Sequence, residues 1–104
     1  MKGPIRPDQI DRIIHERTRL SIVSTLAVVP EMSFNELKAG LSLTDGNLSA
    51  HSRALEQAGY IEIDKTFKGR RPHTTMRLTH KGRTAFENYL TTLQKVLEGG
   101  RGEE

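Results

Sequence analysis

His15, His51, His73 and His80 are the side chains best suited to metal binding or proton transfer, and no cysteine joins them. His15-Glu16 opens like a zinc-protease helix, but the second histidine of that motif must fall four residues on, and Arg19 stands there. His73 and His80 lie seven apart on either side of a strand-like stretch, with no carboxylate paired to them by spacing. No glycine-rich loop opens a helix behind a strand, and no serine, histidine and aspartate stand together in a supporting context. The residues therefore offer no catalytic group, no metal site and no cofactor, and His15 reads as a packing or helix-start residue. Charge carries more pattern. Residues 1–58 hold seven basic and seven acidic side chains, whereas residues 59–83 hold Lys65, Lys68, Arg70, Arg71, Arg77, Lys81 and Arg83 against Glu62 and Asp64 alone. A net of +5 in a quarter of the chain is the footprint of a polyanion-binding surface, the alternative being a solvated hairpin tip.

Length and composition bound the rest. A chain of 104 residues makes one domain and buries roughly two-thirds of its unfolded surface, enough for a core without covalent help. The lack of cysteine excludes disulfide scaffolds, thiolate metal sites and redox motifs, and fits a reducing, cytoplasmic setting. The longest apolar run, Leu26 to Pro30, is far short of the roughly 18 residues needed to span a bilayer. The first seven residues lack the apolar middle of a signal peptide. Residues 1–7 and 99–104 read as flexible tails around a domain at 8–98.

The elements that must position these charges follow from periodicity and stop signals. A short helical stretch over Asp8–Ile14 is expected to precede a longer helix at about Glu16–Val29. In that helix Leu20, Val23 and Ala27 form one stripe, and Ile22, Leu26 and Val29 widen it. Pro30 ends it. Ser33-Phe34-Asn35-Glu36 spells a capping box for a short helix with Phe34, Leu37 and Leu41 inward. Thr44 then caps another helix that runs to about Ala58, with Asp45 on its dipole and Gly59 as its stop. The period next changes to two. Ile61, Ile63 and Lys65 share one face of a strand, Lys68 to His73 form a turn, and Thr74, Met76 and Leu78 share a face of the returning strand. Thr79 caps a final helix.

Two short helices joined by Ser42-Leu43 and followed at once by a basic hairpin make a winged helix-turn-helix, an α+β fold that is mainly α. In such a fold the second helix enters the major groove of DNA and the hairpin, or wing, leans on the backbone or a minor groove. Thr44-Asp45-Gly46-Asn47-Leu48-Ser49-Ala50-His51, Leu55-Glu56-Gln57-Ala58-Gly59-Tyr60-Ile61, Arg70-Arg71-Pro72-His73 and Leu78-Thr79-His80-Lys81-Gly82-Arg83 together are similar to the small winged-helix regulators of bacteria and archaea related to the MarR and ArsR families. The resemblance covers about residues 10–97, with His15 to Leu20 fitting the first helix. Relatives often carry a larger apolar residue where Ser52 stands.

Side-chain chemistry then assigns candidates. On the recognition helix, about 44–58, Leu48, Leu55 and Ala58 pack inward with Ser52 beneath them. The outward set is Thr44, Asp45, Asn47, Ser49, Ala50 and Arg53. Asn47 can bridge adenine N6 and N7, and Arg53 can reach guanine or phosphate. His51 either joins that set or closes the back of the helix-turn-helix. The helix carries a net charge of −1, so phosphate attraction falls to the wing: Lys65, Lys68, Arg70, Arg71 and His73. Lys81 and Arg83 stand in a first helical turn, where the dipole disfavours cations, and call for phosphate, an acidic side chain or water nearby. The last helix presents Phe86, Tyr89, Leu90, Leu93, Val96 and Leu97, a stripe wide enough to serve a second copy as well as its own core. The resemblance implies dimerisation through terminal helices. An effector would have to use the cleft between those helices, where no residue set is specific enough to name one. The expected activity is a sequence-specific, duplex-DNA-binding transcriptional regulator, a homodimeric repressor without a membrane partner. The alternative is a winged-helix protein-interaction module.

Overall fold

A computed structural model of the protein describes residues 3–101. The elements in chain order are α1 (Arg17–Val28), β1 (Met32–Ser33), α2 (Phe34–Gly40), α3 (Asp45–Gln57), β2 (Ile61–Lys68), β3 (Arg71–Leu78) and α4 (His80–Arg101). The strands form one antiparallel sheet in the order β1-β3-β2. This is the expected winged helix, with one strand more than the sequence announces.

Each start signal does its predicted work. The Ser33 hydroxyl accepts from the Glu36 amide at 3.0 Å, and the Glu36 carboxylate accepts from the Ser33 amide at 2.9 Å. Thr44 Oγ1 accepts from the Asn47 amide at 3.1 Å. Both helices of the helix-turn-helix end in the same double bond to the last turn. At α2 the Leu43 amide reaches Lys38 O at 2.9 Å and the Ser42 amide reaches Ala39 O at 3.3 Å; at α3 Tyr60 reaches Leu55 O and Gly59 reaches Glu56 O, both at 2.9 Å. The left-handed residue this closure needs is Gly59 (φ 82°) after α3, but Ser42 (φ 55°) after α2.

The core gathers Ile22, Val23 and Leu26 of α1, Leu37 of α2, Leu48 and Leu55 of α3, Ile61 and Met76. Phe34, Tyr60, Leu78 and Phe86 close its margins. Ser52 is buried too, and its hydroxyl donates to the Leu48 carbonyl at 2.6 Å, so its polar atom is satisfied without a partner across the core. Gly82 permits α4 to start where it does: a Cβ there would collide with the Tyr60 carbonyl oxygen and the Leu78 side chain.

Several expectations are corrected. No α-helix forms over Asp8–Ile14; a single 3₁₀ turn at Pro7–Gln9 is followed by turns. Asp11 is the cause, because its Oδ1 accepts from the Ile13 and Ile14 amides at 2.8 and 3.0 Å, and its Oδ2 accepts from the Tyr60 hydroxyl at 2.5 Å. Val29 is exposed beyond the end of α1. Met32-Ser33 pairs with Met76 and Thr75, so the sheet has three strands and not two. The turn at 68–73 shrinks to Gly69-Arg70, and β3 includes Arg71, Pro72 and His73. Finally, α4 continues through Gly99 to Arg101, because extending an existing helix needs no new nucleus and each glycine costs only about 1 kcal/mol. Of the other tail residues, 3–6 have no regular structure and Pro7 opens the 3₁₀ turn, while 1–2 and 102–104 lie outside the described residues.

The Cα radius of gyration, 16.1 Å, exceeds the roughly 13 Å of a compact chain of about 100 residues, and the molecule extends 62 Å along its long axis. Wing and α4 both project from the body.

Candidate nucleic-acid interface

The outward side of α3 carries Asp45, Gly46, Asn47, Ala50 and Arg53, all exposed, with Ser49 half-buried beside them. Their position follows from the burial of Leu48, Ser52 and Leu55 on the opposite stripe. Asp45 accepts an ion pair from Lys38 Nζ at 2.7 Å. That bridge crosses the helix-turn-helix and offsets one of the two acidic charges on α3. Asn47 also lines a cleft with Arg17, Thr18 and Ser42, which brings the start of α1 and the α2–α3 turn alongside the recognition helix. Arg17 and Thr18 belong to the His15–Leu20 stretch and Ser42 to the joining turn already marked in the sequence, whereas no motif singles out Lys38, whose partner stands seven residues on.

His51 lies behind α3. Its Nδ1 is 3.1 Å from Nη1 of Arg19 and 3.5 Å from Oε1 of Glu16. Arg19 in turn donates to the Ile13 carbonyl at 2.5 Å. The His51 ring is thus held against the start of α1 and half-buried there. Burial pushes the Glu16 carboxyl up, but the amides of Arg19 and Thr18, with the charges of His51 and Arg19, outweigh it and hold the group below its usual value.

In the wing, register decides where each cation points. Ile61, Ile63, Lys65 and Phe67 of β2 stand opposite Leu78, Met76, Thr74 and Pro72 of β3, and these pairs share one face. Lys65, Thr74, Ile63 and Met76 of that face line a groove of about 320 Å³ with Ser49 and Arg53 of α3. The other face carries Glu62–Arg77, Asp64–Thr75, Thr66–His73 and Lys68–Arg71. The predicted wing residues are thus divided: Lys65 faces α3, Lys68, Arg71 and His73 point the other way, and Arg70 occupies the tip. Gly69 has positive φ (64°) and Arg70 does not, the pattern of a type II′ hairpin turn.

Arg77 takes up both acids of this segment, pairing with Glu62 at 2.7 Å and Asp64 at 2.5 Å. Among the described residues, Lys65, Lys68, Arg70 and Arg71 make no ion pair, so the end of the wing is uniformly positive. Lys68 and His73 share a shallow groove with Glu36. The Ser33 amide, then the Ser33 hydroxyl and the charges of His73 and Lys68, hold that carboxyl below its usual value. Lys81 and Arg83 find partners inside the fold. Lys81 Nζ lies 5.8 Å from the Tyr60 ring centroid, and Arg83 donates to the Ala27 carbonyl at 3.3 Å, at the negative end of α1.

The six candidate dimer residues of α4 also divide. Tyr89 is 4% exposed and its hydroxyl hydrogen-bonds His15 Nδ1, while Phe86 packs on the core. Leu90, Leu93, Val96 and Leu97 remain 38–54% exposed on the projecting part of the helix. No group of three or more potential metal ligands occurs among the described residues, and no helix of theirs is long and apolar enough to cross a membrane.

Comparison with known proteins agrees with this geometry. An uncharacterised protein of Methanocaldococcus jannaschii is 39% identical over 79 residues, covering 76% of this chain and 86% of that protein. The solved structure of a transcriptional regulator homologue from Pyrococcus horikoshii superposes with a TM-score of 0.82 at 30% identity, over 88% of this chain and 90% of that one. A MarR-like transcriptional regulator from Thermotoga maritima shares the fold, with a TM-score of 0.64 at 21% identity over 99% of this chain and 70% of that one. The winged helix DNA-binding domain family matches residues 18–97, and the chain belongs to that family of transcription regulators.

Proposed function

We propose that the protein is a sequence-specific regulator that binds duplex DNA as a homodimer and represses by occupying its operator. In this reading α3 enters the major groove, with Asn47 and Arg53 on base edges and Thr44, Asp45, Ser49 and Ala50 close to the groove floor or phosphates. Lys65, Lys68, Arg70, Arg71 and His73 engage the backbone or the adjacent minor groove. The observation that carries the proposal is the set of four wing cations without an ion pair among the described residues, of which Lys65 lines a groove with Ser49 and Arg53 of α3. The Pyrococcus relative, described as a transcriptional regulator homologue, supports it.

Leu90, Leu93, Val96 and Leu97 supply the dimer surface, an apolar strip on a helix that projects from its own core. Two copies joined there would set their recognition helices for half-sites roughly 34 Å apart. Selection of binding sites from a random duplex pool tests this. A palindromic winner with one helical turn between half-site centres supports a dimeric reader, and the absence of any enriched sequence refutes it.

The second reading, a protein-interaction module, draws its support from the negative balance of α3. The Lys38–Asp45 ion pair weakens that support, because it offsets the charge nearest the N-terminus of the helix.

A further inference from the structure

Phe67 is 71% exposed, two residues beyond Lys65 on the strand face that looks toward α3. Its cross-strand neighbour is Pro72, so the outermost pair of that face is wholly apolar. The pair flanking a two-residue hairpin turn, here Lys68 and Arg71, is the hydrogen-bonded kind, which makes Phe67–Pro72 the closer, non-bonded kind. Proline therefore removes no hydrogen bond to β2, and on its other side β1 reaches only Thr75 and Met76. The fold tolerates this apolar tip but gains no burial from it.

We propose that Phe67, backed by Pro72, is a DNA-contacting element of the wing that enters a minor groove beside Arg70. The inference rests on the DNA-binding reading above and adds a salt-insensitive contact to it. Charge complementarity selects the occupant. Lys65 lies on the same face as the ring, Arg70 stands at the tip, and Lys68 and Arg71 flank the turn on the opposite face. None of the four has an ion-pair partner among the described residues, and an apolar protein surface placed over the tip would strip them of water without compensation. A minor groove accepts both chemistries, with phosphates along its rims for the cations and sugar and base edges for the ring. The exposed leucines of α4 have no such cationic surround within their stripe and are assigned to self-association.

The test uses the full chain and a duplex recovered from the random pool, with anisotropy measured across a salt series. Burial of a phenylalanine ring predicts that Phe67→Ala binds roughly ten- to a hundredfold more weakly. The log–log salt slope should stay at the wild-type value, whereas Arg70→Ala with Arg71→Ala flattens it by about 0.9 for each phosphate no longer neutralised. Phe67→Leu should recover most of the affinity. An A·T pair under the wing replaced by inosine·cytosine keeps the minor-groove acceptors and should bind equally well; a G·C pair adds an amino group there and should weaken the wild type more than Phe67→Ala. Phe67→Ala should melt at the wild-type temperature and sediment as wild type. If it binds like the wild type while the arginine variant weakens, the Phe67 contact is refuted and the DNA-binding reading stands. If it changes the sedimenting mass instead, the ring belongs to a protein interface and the proposal is wrong. If the wild type shows no selective duplex binding and the arginine variant alters nothing, both readings fall.

Discussion

The Tyr89 hydroxyl lies 2.8 Å from Nδ1 of His15, with the two rings tilted at 48° and their centroids 5.8 Å apart. This bond ties the first half of α4 to the segment before α1, and it marks off residues packed within the chain from Leu90, Leu93, Val96 and Leu97, which stay exposed. Tyr89→Phe should lower stability by about 1 kcal/mol and leave the sedimenting mass unchanged. Leu93→Glu with Leu97→Glu should do the opposite, giving a folded monomer with an unchanged far-ultraviolet spectrum. A dimer that survives the double glutamate would remove α4 as the interface.

Gly82 is a steric requirement. Gly82→Ala should destabilise by about 1–3 kcal/mol in urea melts, because the new methyl group meets backbone at Tyr60, which cannot swing aside as a side chain can. Gly46→Ala, with open space around it, should improve the helix by about 1 kcal/mol at most.

Ser42 takes the left-handed place after α2 that a glycine fills after α3. Ser42→Gly should relieve that strain, raising stability by up to about 1 kcal/mol after the extra chain entropy of glycine is subtracted. A fall in stability in thermal melts would mean the serine side chain has a stronger role than its backbone angle.

Proton linkage has a defined sign at both ends of the scale. The carboxyls of Glu16 and Glu36 sit below their ordinary value of 4.5 in the folded state, so they stabilise the fold above that pH and the contribution disappears as pH falls through their folded values. Burial, followed by the bond to Asp11, pushes the Tyr60 hydroxyl up from 10.0 to about 12, so its contribution is complete below pH 10 and disappears as pH rises toward 12. Melting temperature should fall on both sides. Tyr60→Phe should flatten the alkaline limb, and Glu16→Gln the acid limb.

The legible parts of this fold are those whose signals are local. Ser33, Glu36, Thr44 and Gly59 act within four residues of themselves, and the change of period at Ile61 marks the hairpin directly. The illegible parts depend on distant partners. Met32-Ser33 becomes a strand only because Thr75 and Met76 lie beside it, and Asp8–Ile14 fails as a helix because Asp11 commits its carboxylate to nearby amides and to Tyr60, 49 residues away. The outward set of α3 follows from the stripe of Leu48 and Leu55. Lys65 likewise follows from its alternation with Ile61 and Ile63, but the sides taken by Lys68, Arg71 and His73 do not, since they read as turn until the Gly69 turn carries both strands out to Lys68 and Arg71. Phe67 continues the alternation of Ile61, Ile63 and Lys65, and an apolar residue among cations is the one signal the sequence holds for its role.

The central claim is that this winged helix reads DNA sequence. Anisotropy of the full-length protein on the selected palindrome and on a scrambled duplex, at two salt concentrations, tests it most directly. A preference for the palindrome of at least about a hundredfold, with a steep salt dependence, is the predicted result. Equal, weak binding to both duplexes that vanishes at moderate salt would contradict it, leaving Lys65, Lys68, Arg70 and Arg71 as a merely cationic surface.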